Sequence, residues 1–197
     1  MFISSLIGLC FLHVVIAQIP IIGPCPSFDC CKSPLNETIV NESNGIWYLY
    51  GGDLFFFDKN TRCQFANFSM LPDNYIYINV SHYDTLLEEN RNYIIFGNYS
   101  LANGNVDTVI SDLKFPLHYE IIQWTSEYII VVSCSECGFF SKQDAGLYVY
   151  IITKSQSPLF TVTDKIFAKL EECKIPTDSI VQHSQTNCGT IILGNGC

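Results

Sequence analysis

The tripeptide Gly45-Ile46-Trp47 decides how this chain is interpreted, because it begins the first of a long series of short, apolar segments. After that series, Lys154 stands just before the one stretch with helical periodicity. Many short apolar segments followed by one helical stretch predict a mostly β domain with a single helix near its C-terminal end.

Eight segments rich in apolar and aromatic residues predict β-strands. They lie near residues 46–57, 62–70, 75–81, 92–100, 105–112, 115–123, 127–135 and 145–153. Turn-forming residues such as Asn103-Gly104-Asn105 separate neighbouring segments. Eight short strands at this spacing indicate an up-and-down barrel or a sandwich.

One segment departs from the strand pattern. From Pro158 to Cys173, apolar residues including Val162, Ile166 and Leu170 recur at helical spacing, and Pro158 suits the first turn of a helix. Eight strands followed by one helix favour the barrel. We therefore expect an all-β fold, an eight-stranded antiparallel up-and-down β-barrel with a C-terminal α-helix packed outside.

The N-terminus predicts secretion. Residues 1–17 contain an apolar stretch that is too short to span a bilayer comfortably and ends in small or short residues, which is typical of a signal peptide. No Lys or Arg precedes the apolar stretch, which is unusual for a signal peptide, and the alternative interpretation is a membrane anchor. We expect an extracellular protein with no stable membrane insertion.

The remaining length of about 180 residues fits one domain. We expect an N-terminal extended segment over 18–44, the barrel and helix over 45–188, and a C-terminal tail over 189–197. The net charge of −9, with only ten Lys and Arg, argues against nucleic acid or an anionic membrane as a partner.

Two features agree with secretion. Without Cys10, nine cysteines remain, a density expected where disulfides persist. Five Asn-x-Ser/Thr sequons predict a glycoprotein. Their acceptor residues are Asn36, Asn41, Asn67, Asn79 and Asn98.

Several short motifs occur in a specific order. They are Gly23-Pro24-Cys25-Pro26 with Phe28-Asp29, Gly45-Ile46-Trp47-Tyr48, the run Arg62 to Ser69, Val132-Ser133-Cys134, Ile151-Ile152-Thr153-Lys154 and Thr186-Asn187-Cys188. Together they resemble a lipocalin of the apolipoprotein D and insect bilin-binding group, over essentially all of the mature sequence. The chain departs from that family's Thr-Asp-Tyr motif, where Gln123-Trp124-Thr125 stands instead.

The resemblance implies a structural role for Gly45, Trp47 and Lys154. A Trp at this position plugs the closed end of the barrel, and truncating such a residue typically costs about 3–5 kcal/mol. Lys154 stands where Arg is commoner and packs across the Trp, with a cation–π attraction of roughly 0.5–2 kcal/mol.

The resemblance also implies the disulfides Cys25–Cys134 and Cys63–Cys188. Each closes a loop of about a hundred residues, worth roughly 4–5 kcal/mol in the chain-entropy model. Five further cysteines have no assigned partner: Cys30, Cys31, Cys137, Cys173 and Cys197. Because five is an odd number, at least one is free or pairs between chains, which allows a disulfide-linked or homodimeric association.

Side-chain alternation predicts a ligand pocket. If the sequon asparagines and Cys63 face outward on their strands, alternation turns residues such as Gln64 and Tyr99 inward. The residues predicted to contact a ligand are Phe68, Ile78, Tyr93, Ile95, Tyr148 and Tyr150. The last of these also lies where the resemblance implies a pocket aromatic. The alternative is that these side chains only fill a small barrel.

We expect neither catalysis, nor a metal, nor a cofactor. The three histidines of the mature chain, His82, His118 and His183, do not have metal-ligand spacing, and no nucleophile elbow or phosphate loop occurs. Cys134-x-x-Cys137 is open to a redox or zinc interpretation, but there is no second such pair.

Two functional hypotheses follow. The first is a secreted carrier of a small hydrophobic ligand such as a fatty acid, sterol, retinoid or biliverdin-like pigment. The alternative is an extracellular scavenger of biogenic amines or other mediators, or a protein-interaction lipocalin. An inward-facing carboxylate, Glu120 or Glu127, would favour amines. Phe55-Phe56-Phe57 fits a lid, a contact patch or ordinary strand packing.

Overall fold

The structure is a computed structural model that describes residues 19–22, 24–52, 60–110, 115–135, 144–186 and 188. Several sequence predictions concern residues outside these ranges. They are the signal peptide 1–17, Phe55-Phe56-Phe57, Cys137 and the tail 189–197.

The described residues form ten strands and two α-helices. In chain order these are β1 (Ile19–Ile22), α1 (Glu37–Asn41), β2 (Gly45–Gly52), β3 (Thr61–Leu71), β4 (Tyr75–Asp84), β5 (Glu89–Tyr99), β6 (Asn105–Ile110), β7 (Phe115–Trp124), β8 (Tyr128–Ser135), β9 (Asp144–Thr153), α2 (Phe160–Glu172) and β10 (Val181–Gln182). None of the helices in these ranges combines the length and apolar character needed to cross a bilayer.

The sheet closes on itself. Each strand from β2 to β9 pairs with the next in antiparallel register, and residues 150–153 of β9 also pair with β2. Residues 144–147 of β9 pair with β1, and β10 adds to the edge of β2 outside the barrel. The predicted eight-stranded antiparallel barrel with a C-terminal helix is confirmed.

Strand alternation divides the buried side chains into two layers. Ile121 and Ile122 are adjacent and fully buried, yet the first belongs to a cluster inside the barrel and the second to a cluster outside it. The inner cluster contains both tryptophans, and the outer one lies between the barrel wall and α2.

The helix α2 packs through one face. Val162, Ile166 and Leu170, four residues apart, are its buried side chains and belong to the outer cluster. Burying a side chain of this size contributes about 1.5–3 kcal/mol each. The helix therefore packs on the outside of β8 and β9 and leaves the barrel interior to other residues.

Three disulfides join the ends of the chain to this framework. They are Cys25–Cys134, Cys63–Cys188 and Cys31–Cys173. The first two are the pairs that the resemblance implies. The third joins two cysteines that the sequence left unassigned, and it links the N-terminal segment to the end of α2. Cys30 is exposed and forms no disulfide with any described cysteine.

Candidate functional site

Two tryptophans close one end of the barrel. The Trp47 indole donates a hydrogen bond to the Ser43 carbonyl at 2.7 Å, and the Trp124 indole donates to the Ser43 hydroxyl at 2.8 Å. That hydroxyl donates in turn to the carbonyl of Ile39 in α1, at 2.7 Å. Because a buried indole N–H needs an acceptor, Ser43 satisfies the hydrogen-bonding needs of both tryptophans. Its bond to Ile39 also attaches α1 to this closed end of the barrel, which we call the floor.

The Gly-x-Trp motif has a physical reason. Gly45 has a φ of 99°, in the left-handed region that favours glycine. The Lys154 ammonium lies 4.6 Å from the centroid of the Trp47 ring and donates a hydrogen bond to the Asn44 carbonyl at 3.1 Å. These three motif residues therefore form a structural clamp beneath the barrel interior.

Phe68 is the predicted ligand contact nearest to this floor. Its ring centroid lies 5.9 Å from that of Trp47 and 6.3 Å from that of Trp124, and the side chain is 4% exposed. The position is inward, as predicted. The side chain packs as part of the floor itself.

Ile78, Tyr93 and Ile95 lie on β4 and β5. Ile78 and Ile95 are direct partners in the register of these strands, and Ile78 packs against the inner cluster. The Tyr93 hydroxyl accepts a hydrogen bond from the Gln64 amide at 3.4 Å, and its ring centroid lies 5.9 Å from that of His82. Gln64, Tyr93 and His82 therefore form a polar cluster beside the apolar side chains of β4 and β5.

Tyr148 and Tyr150 share one face of β9. The Tyr150 ring meets Tyr119 of β7 edge-to-face, with centroids 6.1 Å apart and an interplanar angle of 79°. Tyr119 packs against the inner cluster and is absent from the sequence prediction. The alternation of β7, in which Tyr119 stands two residues before the buried Ile121, is the signal that identifies it.

Burial controls the protonation of His82, which lies on β4 beside Tyr93. Desolvation is the main cause of a lowered pKa at His82, with Asp84 opposing and Arg91 adding to the effect. The imidazole is therefore neutral at neutral pH. Its Nδ1 atom is buried and has no hydrogen-bond partner among the described residues. The Nδ1 atom of His82 can therefore form a hydrogen bond with a molecule bound inside the barrel.

The two carboxylates proposed for amine binding lie outside the barrel. Glu120 forms an ion pair with Lys32 of the N-terminal segment. Glu127 lies in the β7–β8 connection and approaches Lys165 of α2 at 3.6 Å. Neither therefore offers a negative charge to a cationic ligand in the interior.

The described residues contain no group of three or more His, Cys, Asp or Glu side chains arranged to hold a metal ion. Cys134 is bonded to Cys25, which removes it from redox or zinc chemistry with Cys137. The sequence interpretation of Cys134-x-x-Cys137 as a reactive pair thus loses its first member.

The outer wall carries a separate groove of about 580 Å³. Strands β4 to β7 provide its lining, which includes Tyr75, Phe96, Asn98 and Val109. None of the six predicted ligand contacts belongs to it.

Many solved structures are similar to this chain, and three of them are compared with it below. Apocrustacyanin C2 aligns with a TM-score of 0.73 at 14% identity, over 88% of this chain and 94% of that chain. Insecticyanin from the tobacco hornworm Manduca sexta aligns with a TM-score of 0.68 at 10% identity, over 85% and 89%. The siderocalin Ex-FABP aligns with a TM-score of 0.53 at 10% identity, over 72% and 93%.

No protein-family model matches the sequence, and no curated protein matches it. The structural likeness therefore defines the fold. This chain has the lipocalin fold, with its barrel closed by Trp47, as the sequence motifs indicate.

Proposed function

We propose that this protein is a secreted carrier that holds a small hydrophobic molecule inside the barrel and catalyses no reaction. The observation that carries the proposal is the inner wall above Trp47 and Trp124, which combines apolar and aromatic side chains with a few polar groups. Sites of this composition bind small apolar ligands and orient them through their polar ends.

The wall suggests how a ligand is held. Apolar contacts with Ile78 and Tyr150 provide affinity at roughly 25 cal/mol per Å² of buried area, offset in part by the cost of ordering the ligand. Gln64, Tyr93 and His82 provide hydrogen-bonding groups on one side. A fatty acid, sterol, retinoid or biliverdin-like pigment has this combination of a long apolar body and a polar end.

Other observations support this class of function. The siderocalin with the same fold functions through dual ligand specificities. Three disulfides within the described residues fit an oxidising compartment outside the cytosol. The amine-scavenger alternative has no such support, because Glu120 and Glu127 form ion pairs outside the barrel. The exposed Cys30 favours a disulfide-linked association as a second property of the same carrier.

The test uses the two tryptophans as reporters, since both lie at the floor of the interior. The secreted full chain, stripped of lipid, is titrated with palmitate, cholesterol, retinol, biliverdin and serotonin while tryptophan fluorescence is recorded. We expect saturable quenching by at least one of the four apolar compounds. Native mass spectrometry of the unstripped protein should show a bound mass of a few hundred daltons.

Two tyrosine variants localise the binding. Tyr150→Ala, on the inner wall, should weaken binding without unfolding the barrel, whereas Tyr75→Ala, on the outer wall, should leave affinity unchanged. Equal affinities of Tyr150→Ala and the unmodified chain would place the ligand elsewhere. Binding of serotonin alone would support the scavenger.

A further inference from the structure

Three of the five sequons share an additional feature. Each acceptor asparagine on strands β3, β4 and β5 follows an aromatic residue by two positions. The pairs are Phe65 and Asn67, Tyr77 and Asn79, and Phe96 and Asn98. Because residues two apart on a strand lie on the same face, each asparagine stands beside an aromatic ring.

The rings differ in exposure. Phe65 is 5% exposed and contacts Tyr48, with ring centroids 6.5 Å apart. Phe96 is 45% exposed and stacks on Tyr75, which is 42% exposed, with ring centroids 5.4 Å apart and an interplanar angle of 13°. Of these two phenylalanines, only Phe96 thus offers its side chain to a surface partner.

The groove on the outer wall surrounds the exposed asparagine of this pair. Asn98 lies directly opposite Tyr75 on β4 and opposite Asp107 on β6. Asp107 hydrogen-bonds with His118 at 2.6 Å on the far side. The groove therefore has an aromatic side and a polar side, with a sequon acceptor between them.

We propose that this groove seats the innermost sugars of an N-glycan carried by Asn98. A pyranose ring presents apolar C–H groups on its faces and hydroxyls around its edge. The C–H face would pack on Phe96 and Tyr75, as apolar groups pack on aromatic rings. The hydroxyls would face Asp107 and His118. The volume of about 580 Å³ falls in the range of small-molecule sites.

The modification itself requires a donor from the secretory pathway, so this inference rests on the secretion proposed above. A lipid-linked oligosaccharyl pyrophosphate transfers its sugar to the Asn98 side-chain amide. A bond forms between Nδ2 and C1 of the sugar, while the bond from C1 to the pyrophosphate oxygen breaks. The amide nitrogen loses one proton and the lipid pyrophosphate leaves.

Glycopeptide mass spectrometry of the full chain secreted from animal cells is the first measurement. We expect Asn98 to be occupied. A bare Asn98 beside other occupied sequons would overturn this inference alone. If all five sequons are bare, the secretory route proposed above fails as well.

The contact is tested by a double-mutant cycle on urea unfolding, followed by tryptophan fluorescence. Asn98→Gln should lower the ratio of folded to unfolded protein about two- to tenfold, the range of an aromatic contact. In the Phe96→Ala background the same change should have a clearly smaller effect, because the sugar loses one of its two aromatic contacts. Asn67→Gln is the matched control, because Phe65 is buried, and it should have little effect in either background.

Equal effects of Asn98→Gln with and without Phe96 would overturn the proposal. A second measurement identifies the sugar that makes the contact. Trimming each glycan to its innermost sugar with an endoglycosidase should preserve the stabilisation. Loss of the stabilisation on trimming would overturn the assignment. Self-association of the unmodified chain that Phe96→Ala abolishes would assign the groove to a second copy instead.

Discussion

The indole of Trp124 and the hydroxyl of Ser43 are joined by a hydrogen bond of 2.8 Å across the floor of the barrel. Trp124 belongs to the segment where the sequence departs from the lipocalin pattern, Gln123-Trp124-Thr125. The departure thus has a structural counterpart, since Ser43 is 3% exposed and its carbonyl also accepts from Trp47.

In protein freed of N-glycans, since Ser43 also completes the Asn41 sequon, replacing Ser43 by alanine should destabilise the fold by about 1–3 kcal/mol, because the buried Trp124 N–H loses its acceptor. Urea unfolding followed by tryptophan fluorescence measures the change. Ser126→Ala, at an exposed position between β7 and β8, is the control and should change stability by less than about 0.5 kcal/mol. Equal midpoints for the two variants would contradict the role of Ser43.

The contact of Lys154 with Trp47 should contribute to the stability of the barrel. Lys154→Met keeps much of the apolar stem but removes both the cation over Trp47 and the hydrogen bond to the Asn44 carbonyl. We expect a loss of about 0.5–2 kcal/mol in unfolding free energy. Lys154→Arg should retain most of the stability, because guanidinium also stacks on an indole. Identical stability of the Met variant and the unmodified chain would show that the contact contributes nothing.

Local alternation explains why much of the fold was predictable. Phe68 and Ile78 each stand next to a sequon asparagine on a strand. Because side chains alternate along a strand, an outward asparagine predicts an inward neighbour. The helix α2 was recognisable from the four-residue spacing of Val162 and Ile166. These signals depend only on residues close together in the chain, so one sequence contains them.

Other features depend on contacts between distant residues. The orientation of Glu120 was undecided from alternation, and the register of β7 on β8 shifts between Ile121 and Gln123, just beyond it. The helix α1 spans five residues, too few to show a period, and it begins where the Asn36 side chain accepts a hydrogen bond from the Ile39 amide at 3.2 Å. The sequence therefore predicted strands and helix well, and tertiary details poorly.

The Cys31–Cys173 bridge is such a tertiary detail, and its contribution is measurable. It joins positions 142 residues apart, and both cysteines belong to the cluster beneath α2. Replacing both by alanine should lower the unfolding free energy by about 2–4 kcal/mol. Thermal unfolding without reductant measures the loss.

Cys30→Ser is the matched control, since this neighbouring cysteine is exposed and forms no bridge within the described residues. It should leave the melting temperature unchanged. If the unmodified protein forms a disulfide-linked dimer on a non-reducing gel through this thiol, the same variant should abolish it. An unchanged melting temperature in the double alanine variant would contradict the expected role of the bridge.

His183 makes stability depend on pH. Its side chain is 5% exposed, and its Nε2 atom is buried without a hydrogen-bond partner among the described residues. Burial, with a smaller contribution from His82, lowers the pKa of His183 to about 4 from 6.5. Between these two values the unfolded chain binds more protons than the folded one, so stability falls as the pH is lowered.

Replacing His183 by leucine removes this titration. The unmodified chain should lose up to about 3 kcal/mol more than His183→Leu between pH 7 and pH 4, with most of the difference below pH 6.5. Urea unfolding at half-unit pH steps measures it. Ser126→Ala, at an exposed position between β7 and β8, is the control, because serine does not titrate in this range, and it should keep the pH dependence of the unmodified chain. Parallel curves for the unmodified chain and His183→Leu would mean that the folded protein protonates His183 as readily as the unfolded chain does, which contradicts its burial as a neutral ring.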